Sequence, residues 1–322
     1  MEPFSFIIEP GDSGCRLDLY LSRKTGESRS FVKSQILKGR ILLNGQPEKR
    51  AAQKLKAGDT LSGTMQEVFR TELKPVEGNL QVLFEDNEMM ALNKPPGLVV
   101  HPAAGHRGET LVHHLLHHLQ SAPGFEELSP TRPGIVHRLD RGTSGIILVA
   151  KNRTALEGLA RQFKSRQIQK EYEAVVWGKM KQMEGTFDQA IGRDTKDRKK
   201  MSSRTNQGRE ATTRWKVERA YAHFSHLSLQ PKTGRTHQLR VHLAENGTPI
   251  VGDPLYGVGS AKRRVQTLPV ELQPKVAALP HTLLHARKLS FEHPASGKLM
   301  VLEAQRPEVF EIFLTVLEEQ DR

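Results

Sequence analysis

The stretch 136–150 constrains the fold of this chain most, because a charged turn runs directly into a continuous apolar segment. Asp140 stands between Arg138 and Arg141, and the apolar residues 146–150 that follow have the composition of a buried strand. A carboxylate between two guanidiniums is expected to stay ionised, since positive charge favours its charged form. An ionised Asp is a candidate nucleophile. Taken alone, the pattern also fits a surface salt bridge or a turn cap.

The charge of the chain predicts a polyanionic partner. The 322 residues include 48 Lys and Arg against 36 Asp and Glu, a net charge of +12. Basic residues are concentrated in 29–40 and in 193–219, and such clusters are typical of proteins that contact phosphate backbones. Cys15 is the only cysteine, which excludes an intrachain disulfide. With no signal-peptide pattern and no apolar run of bilayer length, we expect a cytoplasmic protein without a membrane partner.

The chain is predicted to contain two domains joined by a linker. Residues 9–66 form a small α/β domain, and the polar segment 67–78 is a linker. Residues 79–322 mix strands and helices without a regular alternation, which favours an α+β fold with a mixed, mainly antiparallel sheet and flanking helices. The clearest strands and helical stripes lie at 174–177, 226–229, 154–166 and 307–320.

The N-terminal domain is predicted to present a basic helix. Ser28 or Ser30 caps this helix and Gly39 ends it. Its inner face is expected to carry three apolar side chains, Phe31, Ile36 and Leu37. The basic side chains predicted to contact the polyanionic partner are Arg16, Arg29, Lys33, Lys38 and Arg40.

Three further blocks bear on chemistry. In 92–102 a strand runs into a rigid Pro-Pro-Gly turn. In 170–178 strand alternation places Tyr172 on one face, where a lone Tyr is usually a packing residue. In 233–243 a helix is predicted to begin with a cap at Thr236, so that Arg240 could point into a cleft and pair with a buried carboxylate. Helical Arg residues are otherwise mostly solvated.

Together with these blocks, the sequence His-Arg-Leu-Asp at 137–140, followed by Thr-Ser-Gly and an apolar strand, resembles the RluA family of pseudouridine synthases. The N-terminal domain is similar to the RNA-binding module named after the fourth small-subunit ribosomal protein. The resemblance implies that Asp140 is catalytic, that Tyr172 lies against the target uracil, and that Arg240 pairs with Asp140. The substrate-binding residues it implies are Arg138, Leu284, Asn93 and Lys94. It implies no cofactor and no metal.

The resemblance also implies the RNA partner. The order of the N-terminal module, the linker and the blocks 99–105 and 134–140 is most like family members that modify 23S rRNA or a large-subunit precursor. Other ribosomal or transfer RNA sites stay open, and so does a non-catalytic RNA-binding or ribosome-assembly role. Arg141 and Gly142 depart from the Lys and acidic or polar residue of many members. A monomer is expected.

Two segments stay outside these assignments. Residues 113–118 contain two His pairs at i, i+4, a spacing that can bind a divalent ion on a helix, as in a metal-dependent hydrolase. No Glu stands between the paired histidines, and the neighbouring leucines form an ordinary apolar stripe, so no metal site is predicted. The segment 258–281, which carries Lys262, Arg263 and Arg264, has no counterpart among the motifs.

Overall fold

The computed structural model divides into two compact units, Met1–Glu72 and Leu73–Arg322. The residues that it describes are 3–27, 29–65, 73–102, 108–129, 132–197 and 199–321. The predicted cap Ser28, half of the predicted linker (67–72) and residues 103–105 lie outside the described residues, as does the side chain of Ser30. The predicted domain boundaries stay a prediction.

The first unit packs two helices on a four-stranded antiparallel sheet of order β1-β4-β2-β3. Its elements are β1 (Pro3–Ile7), a 3-10 turn (Pro10–Asp12), α1 (Leu17–Thr25), α2 (Arg29–Leu37), β2 (Ile41–Leu43), β3 (Gln46–Pro47) and β4 (Thr60–Thr64). Val32 and Ile36, one helical turn apart, are fully buried. The prediction that Leu37 faces inward is wrong, because it lies about 100° further round the helix and is 57% exposed.

The second unit is built on a nine-stranded sheet. Its strands are β5 (Val82–Glu85), β6 (Met89–Lys94), β7 (Ser144–Ala150), β8 (Gln169–Trp177), β9 (Glu184–Asp188), β12 (Thr212–Ala220), β13 (Phe224–Pro231), β14 (Leu284–Glu292) and β15 (Leu299–Glu303), and β10 (Gly192–Arg193) and β11 (Met201–Ser202) form a separate hairpin. The helices are α3 (Leu111–Leu119), α4 (Arg153–Lys164), α5 (Gln238–Glu245), α6 (Val258–Gln266), α7 (Gln273–Ala277) and α8 (Glu308–Gln320), with a 3-10 turn at Phe125–Glu127. No helix among the described residues is both long and apolar enough to span a bilayer.

The sheet runs in the order β5-β6-β7-β14-β8-β13-β12-β9, with β15 added to β14. Only the β7–β14 pair is parallel. This mixed, mainly antiparallel sheet with flanking helices confirms the predicted fold class. Every residue of β7 is buried, because alternate side chains pack towards α4 on one face and α3 on the other. That is why its sequence is a continuous apolar run.

The β7–β14 pairing fixes the edge of the sheet where the charged turn ends. The register places Ser144 opposite His285 and Gly145 opposite Ala286. Gly145 has φ +110°, and a Cβ there would lie 2.2 Å from the carbonyl oxygen of Ala286. Only glycine allows this backbone approach. The turn before β7 and the first residues of β14 are thereby held at the same edge.

Candidate active site

A cleft of about 140 Å³ opens at this edge of the sheet. Asp140, Tyr172 and Arg240, which the sequence places in three separate blocks, all line it. Arg138 and Leu284 line the same cleft. The structure thus brings together five of the seven residues predicted for catalysis and substrate binding, and leaves Asn93 and Lys94 outside the lining.

Arg240 joins two carboxylates. Its Nη1 donates to Oδ2 of Asp140 at 2.9 Å, while Nε and Nη2 donate to the two carboxylate oxygens of Asp253 at 2.7 and 2.9 Å. Burial alone would lower the pKa of Arg240, but hydrogen bonds and the charges of the two carboxylates raise it well above its ordinary value. The guanidinium therefore stays charged. Its Nη1, which does not contact Asp253, points to Asp140, whose side chain is 22% exposed.

Backbone geometry at the start of α5 sets the position of Arg240. The residue that precedes the helix is His237, in the left-handed region at φ 57°. The prediction that Thr236 caps this helix is wrong, since the chain makes a tighter entry one residue later. The side chain of Gln238 holds the entry, because it accepts from Thr233 Oγ1 and donates to Thr213 Oγ1. Arg240 then lies in the first turn and reaches the cleft.

Tyr172 lies on β8 with its ring on the face shared by Ala174 and Val176. Burial raises the pKa of Tyr172 well above its ordinary value, and the charge of Asp140 raises it further. The phenol is therefore neutral at neutral pH. No described group hydrogen-bonds its hydroxyl, so the ring and the hydroxyl are both available to a ligand in the cleft.

Sequence reasoning missed three residues of the site. Asp253 is fully buried and also accepts from the backbone N–H groups of Leu255 and Tyr256. His237 lines the cleft, and Tyr256 lies beneath Arg240, whose guanidinium carbon is 5.0 Å from the ring centroid. Asp253 lies close to the apolar residues 249–251 in the sequence. A carboxylate is rarely buried unless it is paired, so this position could have indicated a buried ion pair.

Lys94 supports the turn that follows β6. It is 1% exposed, and its ammonium donates to the carbonyl oxygens of Pro95, Leu98 and Arg141. Burial lowers the pKa of Lys94 to about 7, against the raising effect of the Asp140 charge. Because its charged group is enclosed by protein carbonyl oxygens, Lys94 could help to position RNA only through the turn that it supports, and its part in substrate binding stays a prediction. The neighbouring Asn93 donates its side-chain amide to Gln305.

The basic residues of the first unit divide into two groups. Arg16 and Arg29 both donate to the buried carboxylate of Asp18, and with Lys33 they line a groove of that unit. The second group lies outside this groove, with Lys38 exposed and Arg40 bonded to Gln35.

Three of the four histidines of α3 make local hydrogen bonds. His113 closes a capping box with Thr110, His114 hydrogen-bonds with the carbonyl of Val76, and His118 with Glu85. Among the described residues, no three His, Cys, Asp or Glu side chains converge so that they could hold a metal ion.

The segment 258–281 forms α6 and α7. Its buried Leu268, Leu272 and Val276 pack into the core that includes α8, while Lys262 and Arg263 are exposed.

The stability of the protein is expected to depend on pH through His137, which lies in the charged turn. Its Nε2 accepts from the N–H of Leu148 at 2.8 Å, and burial lowers its pKa to about 3. Because the unfolded chain takes up this proton near pH 6.5, the stability contribution is complete above that pH and is lost as pH falls towards 3.

The Oε1 of a Gln at position 137 can accept the same hydrogen bond but does not titrate. Replacing His137 with Gln is therefore expected to reduce the number of protons taken up on unfolding by about one. Urea unfolding between pH 7 and 4 would measure it. The other buried histidines are the same in both proteins, so a difference in the slope of unfolding free energy against pH is due to His137. Identical slopes for wild type and variant would contradict the assignment.

Comparison with known proteins adds independent findings. The model of the RNA pseudouridylate synthase family matches residues 88–245, and that of the S4 domain matches residues 15–61. An uncharacterized RNA pseudouridine synthase of Aquifex aeolicus (strain VF5) is 37% identical over 321 residues, which cover 99% of this chain and 98% of the relative.

Two other matches are informative. The ribosomal large subunit pseudouridine synthase D of Pseudomonas aeruginosa is 36% identical, over 96% of this chain and 93% of that protein. The solved structure of human RNA pseudouridylate synthase domain containing 4 aligns with a TM-score of 0.59 at 27% identity, covering 74% of this chain and 93% of that one.

Proposed function

This chain belongs to the RNA pseudouridine synthase family, and on that premise we propose that it modifies large-subunit ribosomal RNA with Asp140 as its catalytic carboxylate. Relatives of matching length that are named for the large ribosomal subunit support the substrate. The S4 domain and the net charge of +12 support contact with an extended, phosphate-rich partner. The first unit contributes through Arg16, Arg29, Lys33, Lys38 and Arg40.

The reaction is an isomerisation. The bond between N1 of uracil and C1′ of ribose breaks, the uracil turns, and C5 forms the new bond to C1′. C5 loses a proton and N1 gains one, so the atoms balance without an oxidant, a reductant or a second substrate. Because the reacting atoms are inaccessible in a stacked helix, the target nucleotide has to leave its stack first.

Each residue of the cleft has a role in this reaction. Asp140 attacks or assists at C1′, and Arg240 orients that carboxylate through the hydrogen bond from its Nη1. Tyr172 holds the uracil ring against the apolar wall to which Leu284 belongs. Arg138 is exposed at the rim, where its planar guanidinium can fill the space that the flipped base leaves.

One observation carries the proposal. Asp140 meets Arg240 at 2.9 Å while part of its surface stays open to a cleft that contains a neutral Tyr. A salt bridge that served stability alone would not need this exposure. A non-catalytic RNA-binding role is less well supported, because all three predicted catalytic residues share the cleft.

The test is to map pseudouridine in ribosomal and transfer RNA from cells with and without this protein. We expect one or more positions of the large-subunit RNA to be unmodified in its absence. The purified protein should restore them on protein-free RNA. Loss of pseudouridine in transfer RNA alone would reject the proposed substrate, and no loss in any RNA would reject the proposed activity.

A further inference from the structure

His237 faces the catalytic carboxylate but has no part in the mechanism above. Its Nε2 lies 3.9 Å from Oδ2 of Asp140, beyond hydrogen-bond reach, and its Nδ1 lies 2.8 Å from Oη of Tyr256. The residue lines the cleft from the entry to α5. A left-handed conformation at a non-glycine residue of a functional site is the kind of strain that a required side-chain position maintains.

The hydrogen-bond chain behind His237 fixes its tautomer. The backbone N–H of Met201 donates to Oη of Tyr256 at 2.8 Å, so the tyrosine hydrogen is free to donate to Nδ1 of His237. The imidazole proton then sits on Nε2 and points towards Asp140. The opposite tautomer would set a bare nitrogen lone pair against the Asp140 carboxylate.

Burial favours the neutral form of the His237 ring. Burial lowers the pKa of His237, and Arg240 and Arg138 lower it further, while Asp140 and Asp253 act in the other direction. The neutral ring accepts from Tyr256 on one side and offers one N–H donor on the other.

We infer that Nε2–H of His237 binds the 2′-hydroxyl of the target ribose. This inference rests on the proposed function, in which Asp140 acts at C1′. C2′ is bonded directly to C1′, so the 2′-hydroxyl is the ribose hydroxyl nearest the reacting carbon. An oxygen there can accept from His237 and donate to Asp140, which bridges the 3.9 Å gap that the two side chains leave. The same contact gives the site a means of distinguishing RNA from DNA.

Two substitutions separate this role from a structural one. In His237→Gln the amide nitrogen reaches roughly where Nε2 lies, whereas in His237→Asn it reaches only as far as Nδ1. Asn adopts the left-handed conformation more readily than Gln. A donor role predicts that Gln retains at least tenfold more kcat than Asn. A structural role predicts the reverse order, and that result would overturn the inference.

Tyr256→Phe gives a second test that does not depend on the folding of the Gln variant. Without the hydroxyl, either nitrogen of His237 can carry the proton, and we expect kcat to fall several-fold. The Met201 N–H also loses its partner, which lowers the free energy of unfolding by about 1–3 kcal/mol, so kcat is measured well below the melting temperature of the variant. Wild-type kcat in this variant would overturn the role of Tyr256 in fixing the tautomer.

The ribose contact is tested by binding in an Asp140→Asn background, where no turnover occurs. RNA with 2′-deoxyuridine at the target position should bind about three- to tenfold more weakly than uridine RNA when His237 is present. It should bind equally when His237 is Asn. An equal deoxy penalty in both backgrounds would overturn the assignment. A wild-type protein that forms no pseudouridine would instead reject the proposed function.

Discussion

Replacing Asp140 with Asn is expected to stop pseudouridine formation while the fold and RNA binding remain. The amide keeps the size of the carboxylate, and its oxygen can still accept from Nη1 of Arg240. It lacks the negative charge that attack or assistance at C1′ requires. Loss of a group that acts directly at the reacting atom typically lowers kcat by about 10⁴-fold or more. Single-turnover release of tritium from C5 of labelled uridine in RNA would measure the effect.

The control for this prediction is Glu157→Gln. Glu157 is an exposed carboxylate on α4 that pairs with Arg153, and it does not line the cleft. The same chemical change there should leave kcat and the Kd for RNA within about twofold of wild type. Residual activity of Asp140→Asn within tenfold of this control would contradict the assignment of Asp140.

Replacing Arg240 with Met is expected to lower the free energy of unfolding by about 3–5 kcal/mol, besides removing activity. The substitution leaves the carboxylate of Asp253, which is fully buried, without its charged partner. The backbone N–H groups of Leu255 and Tyr256 still reach that carboxylate but carry no net charge. Urea unfolding can be followed by tryptophan fluorescence, because both tryptophans, Trp177 and Trp215, lie in the second unit.

The matched control is the pair Arg240→Met with Asp253→Asn. The double variant has no unpaired buried charge, so it should recover at least 1 kcal/mol relative to Arg240→Met alone, in a double-mutant cycle. It should remain inactive, because Asp140 still lacks its guanidinium. Strict additivity of the two single losses would show that the ion pair does not couple these residues.

Local patterns in the sequence predicted the parts of the site that local chemistry determines. The apolar run of β7 follows from its burial on both faces, and alternation along β8 placed Tyr172 with Ala174 and Val176 on one face. The family resemblance supplied the pairing of Asp140 with Arg240, which no spacing could have given, since the two residues are far apart in the chain.

The remainder depended on tertiary contacts. A Lys is usually exposed at the surface, yet three carbonyl oxygens from two loops enclose the ammonium of Lys94. Asp253 is recognisable as half of a buried pair only once Arg240 lies beside it. Ile36 and Leu37 are adjacent on α2 and point in directions about 100° apart, and a short apolar pattern does not show which of the two faces the core.

The place of β14 in the sheet has a consequence during synthesis of the protein. β7 and β8 are neighbours in sequence, yet β14 lies between them in space. A nascent chain that has not reached residue 292 has two open strand edges where β14 belongs, and it lacks the Leu284 wall of the cleft. Catalytic competence is therefore acquired late in translation, and until then the open edges are sites for mispairing that a chaperone would have to cover.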